Sequence, residues 1–238
     1  MPGQPLQPVN ELVSCIMPTR DRPAFFEQAM RCFQRQTYDQ SELIVLDDGE
    51  QPVEKLCSGL PRVRYVRLGQ PTLTGTKMNI GAETARGNIL QKMDDDDYYH
   101  PDFLRLSVKH IPPSNRDKSV VVWCCYLILL AGEKQLRHSG HGWKTGGTLS
   151  FPREMWQRRP FRDIRTGYDS WFLRDHTPHI VRVCAAEYYI VVRHGANTWT
   201  KMSDGDEADN FLRGRPIHSK PLEAIVHPND HGFYHSLS

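Results

Sequence analysis

Read for its apolar and polar positions, the chain first becomes regular at Leu12-Val13-Ser14-Cys15-Ile16-Met17, a short apolar run closed by Pro18, the pattern of a buried strand. From Pro23 to Gln36 the period changes. Phe25, Phe26, Ala29, Met30 and Phe33 fall on one stripe at helical spacing, with Pro23 suited to a first helical turn. Leu43-Ile44-Val45-Leu46 is again a continuous apolar run and closes on Asp47-Asp48-Gly49. The two strands begin about 30 residues apart, the size of a parallel crossover unit. The same reading predicts a third strand over 63–68, a helix over 77–85 ending at Gly87, and a fourth strand, Ile89-Leu90-Gln91-Lys92-Met93, that runs into four aspartates.

Strands alternating with helices over the first hundred or so residues imply an α/β fold: a mostly parallel, twisted, Rossmann-like sheet flanked by helices, in a single domain. Ligands of such sheets bind beyond the carboxyl ends of the strands. Pro18-Thr19-Arg20, Asp47-Asp48-Gly49 and Asp94 to Asp97 all fall on that edge. The second half is less regular: 120–130 reads as one buried strand, 146–151 as a turn into another, 168–175 as a helix and 181–193 as one or two strands. Residues 1–10, rich in Pro and Gln, read as a flexible lead, 11–200 as the folded domain, and 201–238, rich in Gly, Asp, His and Pro, as a tail that is an irregular wrap or a partly disordered end.

With 238 residues, 39% of them hydrophobic and 24% charged, the chain can bury one sizeable core. A formal charge of +2 is too mild to announce nucleic acid or membrane partners by bulk electrostatics. The six cysteines form no C-x-x-C pair, and Cys15, Cys124, Cys125 and Cys184 sit inside apolar runs, so they read as buried thiols of a reducing compartment. No secretory leader is recognisable, and the apolar stretch 120–131 is too short to cross a bilayer as a helix. The expectation is a soluble, cytoplasmic protein.

Four adjacent carboxylates repel one another, so Asp94-Asp95-Asp96-Asp97 needs a compensating cation or full solvent exposure. A solvated acidic turn is the ordinary reading. The position of the cluster, straight after a buried strand and before Tyr98-Tyr99 and His100-Pro101, favours Mn²⁺ or Mg²⁺ held by hard oxygens and completed by substrate phosphates.

Taken in order, Pro18-Thr19-Arg20, Gln36-Thr37-Tyr38, Leu46-Asp47-Asp48-Gly49, Gly75-x-Lys77-x-Asn79-x-Gly81 with Ala85-x-Gly87, and Met93 to Asp97 resemble the pattern of family 2 glycosyltransferases of the GT-A fold, over roughly residues 10–200. The resemblance implies an inverting, metal-dependent, hexosyltransferase-type enzyme that takes sugar from a nucleoside-diphosphate donor, a UDP-sugar foremost. It divides the domain into a nucleotide-binding half, about 11–100, and an acceptor-binding half, about 101–200. It also implies that Pro18, Thr19, Arg20, Asp47, Lys77, Asp94, Asp95 and Gly147 border the nucleotide sugar. Asp96 and His194 would hold the metal. In Gly167-Tyr168-Asp169-Ser170, where the family usually carries Glu-Asp, Asp169 would be the general base, with Asp163 its rival. Lacking the Gln-x-x-Arg-Trp signature of processive synthases, the enzyme would add one sugar per encounter.

Each of these residues also has an ordinary reading. Asp47 and Asp48 could shape a turn, Lys77 could be an exposed helix-start lysine, Asp169 a helix cap, Gly146-Gly147-Thr148 a tight turn, and His194 a packed or surface residue. His138, His141, His176, His179 and the later histidines lack a zinc context. For the acceptor the alternatives are a glycan, a lipid-linked sugar, a protein, a small metabolite, or a modified nucleobase in DNA. The last is raised by Arg158, Arg159, Arg162 and Arg165 interleaved with Trp156, Phe161 and Trp171. Two other function classes stay open. A sugar nucleotidyltransferase would need a glycine-rich phosphate loop after the first strand, which Pro18 to Arg22 does not supply. An inactive nucleotide-sugar-binding domain is raised by Tyr168 in place of Glu.

Overall fold

β1 (Val13–Thr19) sends Val13, Cys15 and Met17 to one face of a sheet and Ile16 to the other, all four essentially inaccessible to solvent. A strand apolar on both sides must be covered by helices on both sides. α1 (Pro23–Gln34) covers one face with Phe26, Ala29, Met30 and Phe33. β2 (Ser41–Asp47) then pairs in parallel with β1, from Val13 opposite Ser41 to Thr19 opposite Asp47. After α2 (Glu54–Cys57), β3 (Val63–Arg67) extends the sheet outward. α3 (Thr74–Thr84) packs on β1 and β2 and returns the chain to the far side of β1, where β4 (Ile89–Lys92) pairs in parallel. The strand order therefore reverses between β1 and β4. A crevice opens beyond the carboxyl ends of that pair, the place where open α/β sheets bind ligands.

The computed structural model describes residues 11–142, 146–200 and 207–237; the lead expected over 1–10 and the first part of the expected tail, 201–206, lie outside the described residues. The chain continues through β5 (Tyr98–Tyr99), α4 (Phe103–Lys109), β6 (Ser119–Cys125), β7 (Leu127–Leu130), β8 (Arg137–His138), β9 (Ser150–Pro152), α5 (Arg153–Arg158), α6 (Tyr168–His176), β10 (His179–Cys184) and β11 (Tyr189–Arg193). The main sheet has the order β10-β6-β9-β4-β1-β2-β3, and β9 alone runs against the others. A second sheet, β5-β11-β7-β8, packs beside it. The fold is a mostly parallel α/β sheet flanked by helices, as expected.

Two expectations need correction. The run 120–130 is two strands: at Tyr126 the backbone N–H leaves the ladder for the Ser139 hydroxyl (3.0 Å), so β6 stays in the main sheet and β7 enters the second. Both strands are fully buried, so the apolar run shows no seam. The cysteines are not all buried thiols either. Cys124 on β6 is disulfide-bonded to Cys184 on β10, Cys184 is exposed, and Cys15, Cys32, Cys57 and Cys125 remain free and buried.

The described part of the tail, 207–237, folds back on the domain. α7 (Ala208–Arg213), α8 (His231–Ser236) and the segment between them bring Leu212, Leu222, Ile225, Val226 and Tyr234 into the same core as β1 and α1. Asp230, fully buried, bonds the guanidinium of Arg35 at the end of α1.

On β2, Glu42 is 2% exposed and accepts from the Ser14 hydroxyl (2.7 Å), the Arg86 N–H (2.7 Å) and Arg86 Nε (2.8 Å). Burial pushes its carboxyl upward, but the bonds from Ser14 and Arg86 outweigh it and hold it below the usual glutamate range. A carboxylate depressed in the fold stabilises fully above its unfolded pKa and loses that contribution as pH falls through the folded value. Glu42→Gln should therefore cost about 1–3 kcal/mol near pH 7, and the gap to wild type should close below about pH 4. Denaturant titrations across pH 3–7 check this, and a gap independent of pH would refute it.

Candidate functional site

At the reversal of strand order the loop after β1 meets the four aspartates after β4. Thr19 Oγ1 donates to Asp95 Oδ2 (2.7 Å) across the crevice. Arg22, the residue that starts α1, reaches both Asp95 and Asp96 with its two terminal nitrogens. The repulsion foreseen among four carboxylates is thus met one partner at a time. Asp94 pairs with Lys92 of β4, and Asp96 Oδ2 also takes His194 Nε2 and Asn197 Nδ2, each at 3.1 Å. Asp97 accepts from the Tyr189 hydroxyl and from the Val192 N–H (3.0 Å), which ties the cluster to β11. Burial pushes Asp95 and Asp97 above the ordinary carboxylate range. Burial acts on Asp96 in the same sense, but the His194 hydrogen bond and the Arg22 charge outweigh it, and Asp96 is held low.

The β2 edge is organised from within. Asp47, wholly buried, accepts from the N–H groups of Gly49 (2.9 Å) and Val53 (3.0 Å) and from the Tyr65 hydroxyl (2.8 Å). Its side chain serves the turn and offers no exposed oxygen to a nucleobase. Lys77 is no exposed helix-start lysine: it is 5% exposed, and its Nζ donates to the Thr19 carbonyl (3.0 Å) and to the Asp48 carboxylate. Asp48 in turn accepts from the Thr72 N–H (2.7 Å). Pro18, Thr19, Arg20, Asp48 and Lys77 therefore form one wall of the crevice, with Pro18 and Arg20 partly exposed.

The opposite wall is the 3₁₀ turn Gly146–Thr148. The Tyr99 hydroxyl donates to the Gly147 carbonyl (3.1 Å) and accepts from the Asp94 N–H (2.6 Å). A Cβ at Gly147 would fall 2.7 Å from Asp94 Oδ2, and one at Gly146 would fall 1.5 Å from Asp169 Oδ2. Only bare backbone lets the two carboxylates approach adjacent residues of one turn. Asp169 is not the cap of α6: that position is Gly167, and among the described residues the Asp169 carboxylate accepts only from the Ser170 N–H (2.8 Å). Tyr168, the departure from the family pattern, is buried beneath Lys92, whose Nζ lies 5.7 Å from its ring centroid. Asp163 is exposed on the loop before α6.

Asp96 and His194 fit a hard divalent ion. A carboxylate oxygen and an imidazole nitrogen converge at 3.1 Å, on a ring held by stacking on Phe25 (centroids 4.1 Å apart). Among the described residues no third His, Cys, Asp or Glu atom joins them closely enough for a three-ligand site, so donor phosphates would supply the rest. Ligation also requires Arg22 to release Asp96 and His194 Nδ1 to give up the Ala196 N–H it accepts at 3.2 Å. The sequence reading did not single out Arg22, Lys92, Tyr99, Tyr189 or Asn197. Lys92 carried a signal, a cation inside a buried strand directly ahead of the acidic run.

Comparison with known proteins gives the following. Residues 14–187 match the family described as glycosyl transferase family 2. A Haemophilus influenzae glycosyltransferase described as uncharacterized is 32% identical over 98 residues, 39% of this chain and 39% of that one. S. aureus TarS 1-349 in complex with UDP-GlcNAc has a TM-score of 0.62 at 15% identity, over 78% of this chain and 60% of that chain. Mannosyltransferase PcManGT from Pyrobaculum calidifontis, in complex with GDP-Man and Mn²⁺, has a TM-score of 0.57 at 15% identity, over 77% of this chain and 56% of that chain. At such identities the two structures share the fold, and in each case this chain spans less than two thirds of its relative.

Proposed function

Since the chain belongs to glycosyl transferase family 2, we propose that it moves one sugar at a time from a nucleoside-diphosphate donor, a UDP-sugar foremost, to an acceptor hydroxyl, with inversion at the anomeric carbon. The observation that carries the reading is the approach of Asp94 and Asp169 to successive glycines of one turn, Gly147 and Gly146, at the crevice between β1 and β4. Neighbours that hold UDP-GlcNAc and GDP-Man support a nucleotide sugar as donor.

In this reading the loop shaped by Asp47, together with Pro18, Thr19, Arg20 and Lys77, borders base and ribose. Asp94 and Asp95, with Gly147, face ribose and sugar. Asp169 takes the proton of the acceptor hydroxyl while its oxygen attacks the anomeric carbon from the face opposite the diphosphate. The bond from that carbon to the diphosphate breaks, and its electron pair stays on phosphate oxygen. Asp96 and His194 would hold Mn²⁺ or Mg²⁺, whose positive charge stabilises the leaving diphosphate. Division into a nucleotide half and an acceptor half near residue 100 follows from these roles. We place the protein in the cytoplasm on its four buried free thiols; the Cys124–Cys184 bridge weighs the other way. No helix among the described residues is long and apolar enough to cross a membrane.

A donor panel tests the proposal: UDP-glucose, UDP-GlcNAc and GDP-mannose, each with and without Mn²⁺. At least one donor should raise Tm by mass action in the presence of metal and release nucleotide. If none does either, the reading falls; a Tm shift without turnover would indicate a binding domain instead. Arg22 gives a separate test. Because it occupies Asp96, Arg22→Gln should tighten Mn²⁺ binding, measured calorimetrically without nucleotide, by about three- to tenfold. Unchanged or weaker binding would show that the guanidinium does not compete with the ion.

A further inference from the structure

Next to Asp169 lies a cavity of about 490 Å³, walled on one side by Asp169, Ser170, Leu173 and Arg174 of α6 and on the other by Pro178 and Ile180. It reaches Gly146 of the glycine turn against which the proposed base packs, so an acceptor would enter there. Leu173 and Ile180 provide an apolar strip suited to the C–H face of a sugar or polyol. Among the described residues the one cation in the lining is Arg174.

Two guanidiniums stack on the Trp171 ring, Arg162 at 3.8 Å and Arg174 at 4.5 Å from its centroid. The charge of Arg162 is spent, because Nε and Nη2 form a two-pronged bond to the Asp175 carboxylate at 2.7 and 2.6 Å. Arg174 forms no ion pair among the described residues; stacking orients it while its charge stays uncompensated at the cavity wall. A guanidinium fixed in this way is a ready fork for a phosphate or carboxylate. A lysine or arginine in a last helical turn is also favoured by the helix dipole alone, but that role needs neither the indole stack nor the cavity. Asp169 and Arg174 are five residues apart on one helix, roughly 7.5 Å along its axis.

We propose that the acceptor carries an anionic group, phosphate or carboxylate, bound by Arg174 about one and a half helical turns from the hydroxyl that meets Asp169. The proposal rests on the function argued above, and its test separates the two. Binding of glucose, glucose 6-phosphate and glucuronate to the UDP-loaded full chain would be followed by calorimetry for wild type, Arg174→Gln and Arg174→Lys. Nucleotide release from donor would be measured in the same preparations. The charged probes should bind wild type roughly tenfold tighter than glucose, the size of one charge-assisted bond. Arg174→Gln should lose that preference, and Arg174→Lys should keep most of it. Affinity for UDP and Tm should stay as in wild type. The phosphate and carboxylate arms show which anion is meant. Equal binding of glucose and both charged probes, or a preference that survives Arg174→Gln, overturns the proposal. Failure of nucleotide release with the preference intact would instead sink the transferase reading and leave the anion site standing.

Discussion

Asp169→Asn should cut sugar transfer by about 10²–10⁴-fold, with donor affinity within about twofold of wild type. Asparagine keeps the shape and still accepts the Ser170 N–H, so the turn and α6 stay in place; what it loses is the capacity to take a proton. Steady-state transfer and donor titration on the same sample separate these effects. The rival carboxylate provides the control: Asp163 is exposed on the preceding loop, and Asp163→Asn should transfer at the wild-type rate. Gly146→Ala approaches the same base from the other side. Its methyl would fall 1.5 Å from Asp169 Oδ2, so the carboxylate must move, and transfer should fall although no ionisable group was altered. Wild-type transfer in Asp169→Asn would remove the residue from the reaction altogether.

The largest stability loss expected of a single replacement comes from Arg35→Met. Asp230 is wholly buried, Arg35 is its ionic partner, and the Asp230 Oδ1 has no hydrogen-bond partner among the described residues. Removing the guanidinium leaves a charge that neither water nor protein compensates, at a cost of about 3–5 kcal/mol. Adding Asp230→Asn should recover a large part of that loss, since the orphaned charge is then gone. Denaturant midpoints of the two variants and wild type measure both numbers. A loss below about 1 kcal/mol would place the pair with ordinary surface ion pairs. The damage should reach the crevice too, because Phe233 of α8 meets Phe25 edge-on (5.5 Å), and Phe25 is the ring on which His194 stacks.

Much of this was legible in the sequence. The runs at 12–17, 43–46 and 89–93 are buried on both faces, and the change to helical spacing after Pro23 marks a crossover. That pattern fixes a parallel sheet and the edge on which Thr19, Asp48 and the aspartates converge. The second sheet was not legible, because β6 and β7 are equally apolar and the Tyr126–Ser139 hydrogen bond that parts them leaves no periodic mark. The tail was hidden differently: Leu222, Ile225, Val226 and Tyr234 are scattered among glycine, histidine and proline, and only the docked arrangement shows that they bury. In the crevice, residue types announced the carboxylates but not their partners. Arg22 is one charge among many in the sequence, and three-dimensional proximity alone selects it, whereas Lys92 is marked as a cation inside a buried strand. Asp47 was chosen for its position, yet the turn beside it claims both its oxygens.

That α8 and the segment before it share a core with β1 bears on how the protein is made. Synthesis delivers β1 and α1 first, yet Tyr234, the edge-on neighbour of Tyr98, is translated long afterwards. Until residues 207–237 leave the ribosome, the apolar flank they cover stays open to solvent and to other nascent chains. Closure therefore depends on contacts between distant parts of the chain, which form slowly, and a ribosome stalled near residue 206 would present an aggregation-prone intermediate.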